Sequence, residues 1–495
     1  MSSVPDPSKE SVVKPLVFQP KAAINSAAND GAGQTDFVEM SLYEVQKKIY
    51  PRAVHGWFAA WRWALVWFTQ LIFYGLPWMS WNGRQAVLFD LLTRKFYIFG
   101  LVLWPQDFIY LAALLVISAF SLFLFTAIGG RLWCGYACPQ TVYTEIFMWV
   151  EHKIQGDRAR RMKLDSEPFS IKKFVLKSTT QLVWIAIALW TGFTFVGYFT
   201  SIHDLANSVM QVSLGPWEAF WMFFYAFATY GNAGYMREQV CKYMCPYARF
   251  QGAMFDRDTL VVTYDYKRGE PRGGRSKKDD QTQLGLGSCV DCSICVQVCP
   301  VGIDIRQGQQ YECIGCAACI DACDQVMDKM NYPRGLIRYD TENGLEEGLS
   351  REELFWRMMR PRTLIYTGIL SIVAFAMMTT LVLRVPLKVD VIRDRGSMGK
   401  IVDDGAVENI YRLQIMNTQE VEQHFEVAVD GLDGAKILLN DHFVIPGATS
   451  QIVPIRVQVP AGVGQTGSNK LYFEIRSMDN EDVKVKEKSV FLIPR

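Results

Sequence analysis

CVDCSICVQVCP (Cys289–Pro300), followed by CIGCAACIDAC (Cys313–Cys323), is the stretch on which the reading of this chain turns. Each run is CxxCxxCxxxC. That spacing wraps a short loop round a cubane so that three thiolates grip one cluster and the fourth reaches its neighbour. Two [4Fe-4S] clusters follow, in a bacterial-type ferredoxin domain over residues 261–345. Cys289, Cys292, Cys295 and Cys323 are expected on one cluster, and Cys313, Cys316, Cys319 and Cys299 on the other. Structural zinc needs only four ligands at CxxC spacing and leaves two complete runs unexplained. Asp324 stands where the second run would usually carry proline, which alters turn and polarity but removes no ligand. The charged, glycine-rich Arg268–Asp280 (RGEPRGGRSKKDD) reads as a solvated linker ahead of these motifs.

Working outward, all twelve cysteines lie between Cys134 and Cys323. A secreted disulfide scaffold would spread them differently. The remaining four stand in WCGYACPQTVY (Trp133–Tyr143) and CKYMCPYARFQ (Cys241–Gln251), which share the pattern CxYxCP. The residue before a proline avoids helical angles while proline suits the first helical position, so Cys138 and Cys245 are expected at helix N-caps. A helix N-terminus favours negative charge, so these thiols are expected to have lowered pKa values. The repeated pair points to redox or metal chemistry. The two pairs either converge into one four-thiolate site or work as separate dithiols that cycle through disulfides. Soft sulfur selects Cu(I), so thiolates beside an electron source favour copper reduction at Cys134, Cys138, Cys241 and Cys245. Met148 with His152, and Met244 with Met254, are lesser candidates for metal contact.

The surroundings are those of a membrane protein. Half of the 495 residues are apolar and 13% are aromatic, too much for an ordinary soluble domain. Basic and acidic residues balance at 51 against 50, which gives no field for a nucleic-acid partner. Five stretches are long enough to cross a bilayer: Trp61–Trp81, Phe108–Ile128, Leu182–Phe199, Trp217–Met236 and Leu364–Leu383. Phe96–Pro105 is too short to cross and reads as interfacial or re-entrant.

Orientation follows from Lys and Arg. Arg131, Lys153, Arg158, Arg160, Arg161, Lys163, Lys172 and Lys173 follow the second span, whereas 200–216 contains neither residue type. The first loop is therefore expected in the cytoplasm, with the N-terminal tail and every cysteine. Residues 1–56 form that tail, largely disordered, and 57–260 hold four spans and both CxYxCP motifs. Residues 346–386 carry the fifth span, and 387–495 lie in the periplasm. That last segment alternates in short runs such as VENIYRLQIMN, QHFEVAVDG, AKILLN, QIVPIRVQVP, KLYFEIRS and KSVFLIP, divided by Gly, Pro, Asn or Asp. About seven strands of this kind suggest an immunoglobulin-like β-sandwich.

With these motifs in hand, the chain from about Tyr50 onward resembles the cytochrome c oxidase accessory protein CcoG family, also called FixG or RdxA/RdxB. The resemblance rests on both CxYxCP motifs, the double ferredoxin run through MDKMNYPRGLIRY, and the strand-rich tail. It implies a bacterial inner-membrane protein that supports assembly of a cbb3-type cytochrome oxidase by reducing Cu(II) to Cu(I), an oxidoreductase of the cupric reductase kind. Implied partners are oxidase assembly factors or copper carriers and a cytoplasmic electron donor, with a homo-oligomer left open. Quinol-dehydrogenase ferredoxins of the NapH kind also carry CxxxCP pairs, so a quinone-linked electron-transfer subunit is the alternative. A redox sensor whose sandwich makes the signalling contact is a third.

Overall fold

Proline and glycine punctuate the helices. Proline opens α4 (Pro139–Gln155), α6 (Pro216–Thr229), α7 (Pro246–Met254) and α9 (Pro361–Val382) at the first position. There its missing N–H costs nothing. Gly156, at φ 88°, stops α4 by turning left-handed. The other helices of the framework are α1 (Trp57–Gly75), α2 (Phe108–Gly129), α3 (Leu132–Tyr136), α5 (Ile171–Val196) and α8 (Ala318–Met330).

The computed structural model describes residues 48–494 apart from 280, 282, 395, 397, 398, 403, 404, 439 and 440. Most of the expected N-terminal tail (residues 1–47) and the end of AKILLN lie outside the described residues.

Five helical segments run between two ends of the molecule. α1 starts at the ferredoxin motif, where Asp321 accepts the Phe58 and Ala59 amides at 3.2 and 2.7 Å. It finishes beside Tyr198, whose hydroxyl donates to the Phe73 carbonyl. α5 ends at that same place, with the Gly197 carbonyl taking a bond from Gln85. α2 and α9 lie side by side: Tyr110 reaches the Thr380 carbonyl at one end, and Arg360 reaches the Ala127 carbonyl at the other. α6 lies against α5 at Gly192, where any β-carbon would strike the Met222 carbonyl.

Pro105–Gly129, Ile171–Val196 and Pro361–Val382 are long and apolar enough to cross a membrane. The apolar windows of the first and third are not buried inside the molecule. Such unbroken apolar faces need lipid or a partner against them. α1 and α6 fall short in length or composition. α1 passes into a 3-10 turn at Leu76–Trp78, and α6 changes at Tyr230 into wide π-helical turns, Tyr230–Met236 and Val240–Met244.

Between α1 and α2, the Phe96–Pro105 stretch, too short to cross a bilayer, forms part of a three-stranded antiparallel sheet, β1 (Val87–Asp90), β2 (Lys95–Ile98) and β3 (Leu101–Leu103). A turn at Phe99, with φ 51°, lets the chain fold back and pair its own backbone groups. This sheet is the seat of the C-terminal domain, since Val102 and Trp104 bury against Met416. Asp107 also takes ion pairs from Arg384, at 2.8 Å, and Lys388.

Two strands, β4 (Val261–Tyr264) and β5 (Ile337–Asp340), pair antiparallel across the ferredoxin motifs. The C-terminal domain is a sandwich of nine described strands: β6 (Leu387–Arg393), β7 (Lys400–Ile401), β8 (Val407–Asn417), β9 (Gln423–Asp430), β10 (Lys436–Ile437), β11 (His442–Ile445), β12 (Ser450–Val459), β13 (Gly467–Ser477) and β14 (Lys484–Ile493). One sheet has the order β10-β12-β8-β6, with β7 also on β8; the other runs β11-β9-β13-β14. Alternation puts Tyr411, Leu413 and Ile415 inward against Phe473, Ile475 and Phe491, all fully buried. The Tyr411 hydroxyl is satisfied by the Val490 carbonyl at 2.9 Å. About seven strands were expected, and the six quoted runs leave out Leu387–Arg393, Lys400–Ile401 and His442–Ile445.

Candidate functional site

The eight ferredoxin cysteines sort into two groups. Cys289, Cys292, Cys295 and Cys323 line one small cavity, walled by Tyr264, Met327, Leu336 and Ile337. The neighbours acting on Cys323 are Cys295, Cys289 and Cys292, the other three of that set. Around Cys313 the acting thiols are Cys316 and Cys299, and around Cys319 they begin with Cys313, Cys316 and Cys299. All-sulfur donors in apolar walls suit a soft cluster and not a hard cation.

Left-handed residues make the loops tight. Asp291, Ser293 and Ala317 have φ between 51° and 58°, and Gly315 has 67°. Asp324, in the proline's place, accepts the Gly335 amide at 2.9 Å and so ties the end of the second run to the approach to β5. Arg268–Asp280 is not simply a solvated linker, for its guanidinium groups bond back onto the cluster loops. Arg275 reaches the Gly287 carbonyl at 2.6 Å and the Tyr332 hydroxyl at 3.0 Å, and Arg268 reaches the Pro333 carbonyl at 2.7 Å.

Cys138 and Cys245 are the N-caps of α4 and α7. The amides of Gln140 and Thr141 bond to the Cys138 sulfur. The two CxYxCP arms meet. Cys134 lies 3.3 Å from Gln251 Oε1, on the helix that Cys245 caps. Gln140, in the first turn after Cys138, donates to the Asn232 and Arg237 carbonyls of the segment leading to Cys241, at 2.9 and 3.1 Å. Arg131 donates to the Ala248 carbonyl and completes the link. Cys138, Cys241 and Cys245 all act electrostatically on Cys134. All twelve cysteines are free of disulfides.

This site adjoins the second ferredoxin set. Cys134, Cys241 and Cys299 pack against the same buried group as Cys316, Val298 and Ile314. Charge surrounds the junction in buried pairs: Glu151 binds Arg237 at 3.0 Å and Arg161 at 3.3 Å, and Arg62 binds Glu145 at 3.2 Å.

The expected lowering at Cys138 is overturned. Burial pushes Cys134 up to about 12 and Cys241 up to about 11, and raises Cys138 although two backbone amides oppose it. Withdrawal from water outweighs the helix N-terminus here. Of the lesser candidates, Met148 lines a small cavity with Cys241 and Cys316, whereas His152 pairs with Asp157 at 2.7 Å, Met244 is 57% exposed and Met254 is half-buried. Sequence reasoning missed Asp321, Arg275 and Gln251. Asp321 carried a signal, a carboxylate inside a cysteine run (CIDAC), while the other two carried none.

These sites are those of an iron–sulfur redox protein. Residues 236–342 match the model of a 4Fe-4S dicluster domain, 111–156 that of a 4Fe-4S binding domain, and 377–494 that of the IG-like fold at the C-terminus of FixG. The nitrogen fixation protein FixG of Rhizobium meliloti is 40% identical over 425 residues, covering 80% of this chain and 81% of that one. Protein RdxB of Cereibacter sphaeroides is 38% identical over 434 residues (86% and 91%), and protein RdxA of that organism 37% over 439 (87% and 90%). The chain belongs to the FixG/RdxA/RdxB family. A FixG-related protein crystal structure from Vibrio parahaemolyticus aligns over 22% of this chain and 96% of its own, at 21% identity and a TM-score of 0.20.

Proposed function

We propose that this chain is an inner-membrane oxidoreductase that reduces Cu(II) to Cu(I) for the assembly of a cbb3-type cytochrome c oxidase. The observation that carries the proposal is the meeting of four CxYxCP thiols beside the second ferredoxin set, a soft-sulfur exit next to an electron store. When bound, a [4Fe-4S] cluster supplies one-electron transfer. Cys289, Cys292, Cys295 and Cys323 would hold one and Cys313, Cys316, Cys319 and Cys299 the other. Arg131, Gln140 and Gln251 hold the CxYxCP arms together, and Asp321 fixes α1 to the ferredoxin motif. Each Cu(II) takes one electron and leaves as Cu(I), the electron coming from a cytoplasmic one-electron donor.

Membrane placement follows the same reading. On this reading five helical segments cross between the ferredoxin end and the sandwich end; the basic loop from Arg131 to Lys173 adjoins the ferredoxin end, where Arg158 and Arg161 bond to Tyr50 and Pro51 and the Arg52 amide bonds to the Gln297 carbonyl. By the positive-inside bias that end is cytoplasmic, and residues 387–495 are periplasmic. Copper carriers or oxidase assembly factors are the partners this reading requires.

A second reading, electron exchange with quinone, is favoured by one observation. A groove of about 950 Å³ between α1, α4 and α5 is lined by Trp63, Trp67, Trp149 and Trp190, with Gln70 and Tyr74 as its polar groups. Its aromatic walls suit a planar ring. Anaerobic protein with prereduced clusters separates the two: reoxidation by Cu(II), with Cu(I) formed mole for mole, supports the first, and reoxidation by a soluble quinone but not by Cu(II) supports the second.

A further inference from the structure

We propose that Cys134, Cys138, Cys241 and Cys245 together hold a third [4Fe-4S] cluster, so that copper meets the electron at the rim of this site and is not ligated by all four sulfurs. The inference deepens the reading above and rests on it only for the clusters of the two ferredoxin sets.

Four observations converge on it. The thiols come from two separate CxYxCP arms that are bonded to each other, Cys134 to the helix beginning at Cys245 and the turn after Cys138 to the segment before Cys241. The site is therefore shared between arms far apart in sequence, as each ferredoxin set is shared between two runs. No three of its sulfurs lie within 4.8 Å of one another, and the same holds in each ferredoxin set. Among the described residues, only Glu426, Asp441 and His442 bring three metal-binding atoms within 4.8 Å of one another. A single ion bound at about 2.3 Å draws its thiolates closer together than that. A cubane carries its thiolates on the outside of an eight-atom body, and the ferredoxin cysteines share this wider spread.

The surroundings also suit an anionic cluster. Cys138 and Cys245 each begin a helix, the Gln140 and Thr141 amides bond to the Cys138 sulfur, and Arg131 acts on both Cys134 and Cys241. Amides on cluster sulfurs and a nearby cation stabilise the negative charge that four thiolates bring. Finally, the 4Fe-4S binding match at 111–156 contains only Cys134 and Cys138, and the dicluster match at 236–342 begins just before Cys241. Two thiols cannot complete a four-thiolate cluster, and the structure supplies the missing pair.

The test counts iron and acid-labile sulfide per chain in protein purified and reconstituted without oxygen, with Mössbauer and electron paramagnetic resonance spectra of the reduced state. The expected result is about 12 iron atoms per chain, falling by about 4 in Cys134→Ala/Cys241→Ala while the ferredoxin signals persist. A wild-type count of about 8 with complete ferredoxin signals overturns the proposal, as does one copper ion per chain bound to the four thiols in place of iron. If the ferredoxin signals themselves are missing, the reading above fails, and the difference of about 4 between parent and variant still decides this one. Should the double variant fail to fold, the wild-type count and its spectra decide.

Discussion

Gly135, in the first CxYxCP motif, lies directly on Cys316 of the second ferredoxin run. A β-carbon at Gly135 would sit 2.9 Å from the Cys316 α-carbon and 2.8 Å from the Gly315 carbonyl oxygen. The glycine thus joins the two thiol sites by backbone contact.

Gly135→Ala sets two effects against each other. Alanine in a helix gains up to about 1 kcal/mol over glycine, whereas overpacking against rigid backbone costs about 1–3 kcal/mol. The collision wins because neither partner is a flexible side-chain end. The variant should unfold at lower denaturant by roughly that net cost and should lose iron from the second ferredoxin set first. Both are read by denaturant titration of cluster absorbance.

Asp321 is 6% exposed and caps the start of α1. Asp321→Ala leaves two amides without their acceptor and should cost about 1–3 kcal/mol; Asp321→Asn, which keeps one acceptor oxygen, should cost less. Unfolding of the purified protein in detergent measures both.

Glu151 is held between Arg161 and Arg237 with a side chain only 2% exposed. Glu151→Gln leaves buried guanidinium charge uncompensated, for which about 3–5 kcal/mol is the expected loss. Thermal unfolding should reveal it in added salt as well, because a buried pair is little screened.

The grouping of the ferredoxin thiols predicts which losses resemble each other. Cys292→Ala and Cys323→Ala should remove the same spectral component, about 4 iron atoms, although the two residues belong to different runs. Cys299→Ala should instead match Cys316→Ala. Resonance spectra of the reduced variants distinguish this pattern from one cluster per run.

How far the sequence reached depended on the distance over which each feature is determined. The helix starts at Cys138 and Cys245 were legible because a following proline acts on its immediate neighbour. The strands Val407–Asn417 and Gln423–Asp430 were legible because alternation is local. The meeting of the CxYxCP arms was left open, since it depends on Gln140 and Gln251 finding partners about a hundred residues away. The expected lowering of the Cys138 thiol fails for a related reason: the N-terminal dipole is visible in sequence, but the burial that outweighs it is tertiary. Arg275 was taken for part of a solvated linker because a guanidinium looks the same in sequence whether it faces water or a loop of carbonyls. Leu387–Arg393 was not among the quoted runs because charged Lys388, Asp390 and Arg393 interrupt its apolar residues.

The proposed placement sets the redox end and the sandwich on opposite faces of one membrane, and labelling of introduced cysteines tests this most directly. Met478→Cys and Tyr266→Cys replace exposed residues, 57% and 48% accessible, at the two ends. An impermeant maleimide added to intact spheroplasts should modify Met478→Cys at once and Tyr266→Cys only after lysis. Modification of Tyr266→Cys in intact cells, or of both positions only after lysis, would contradict it.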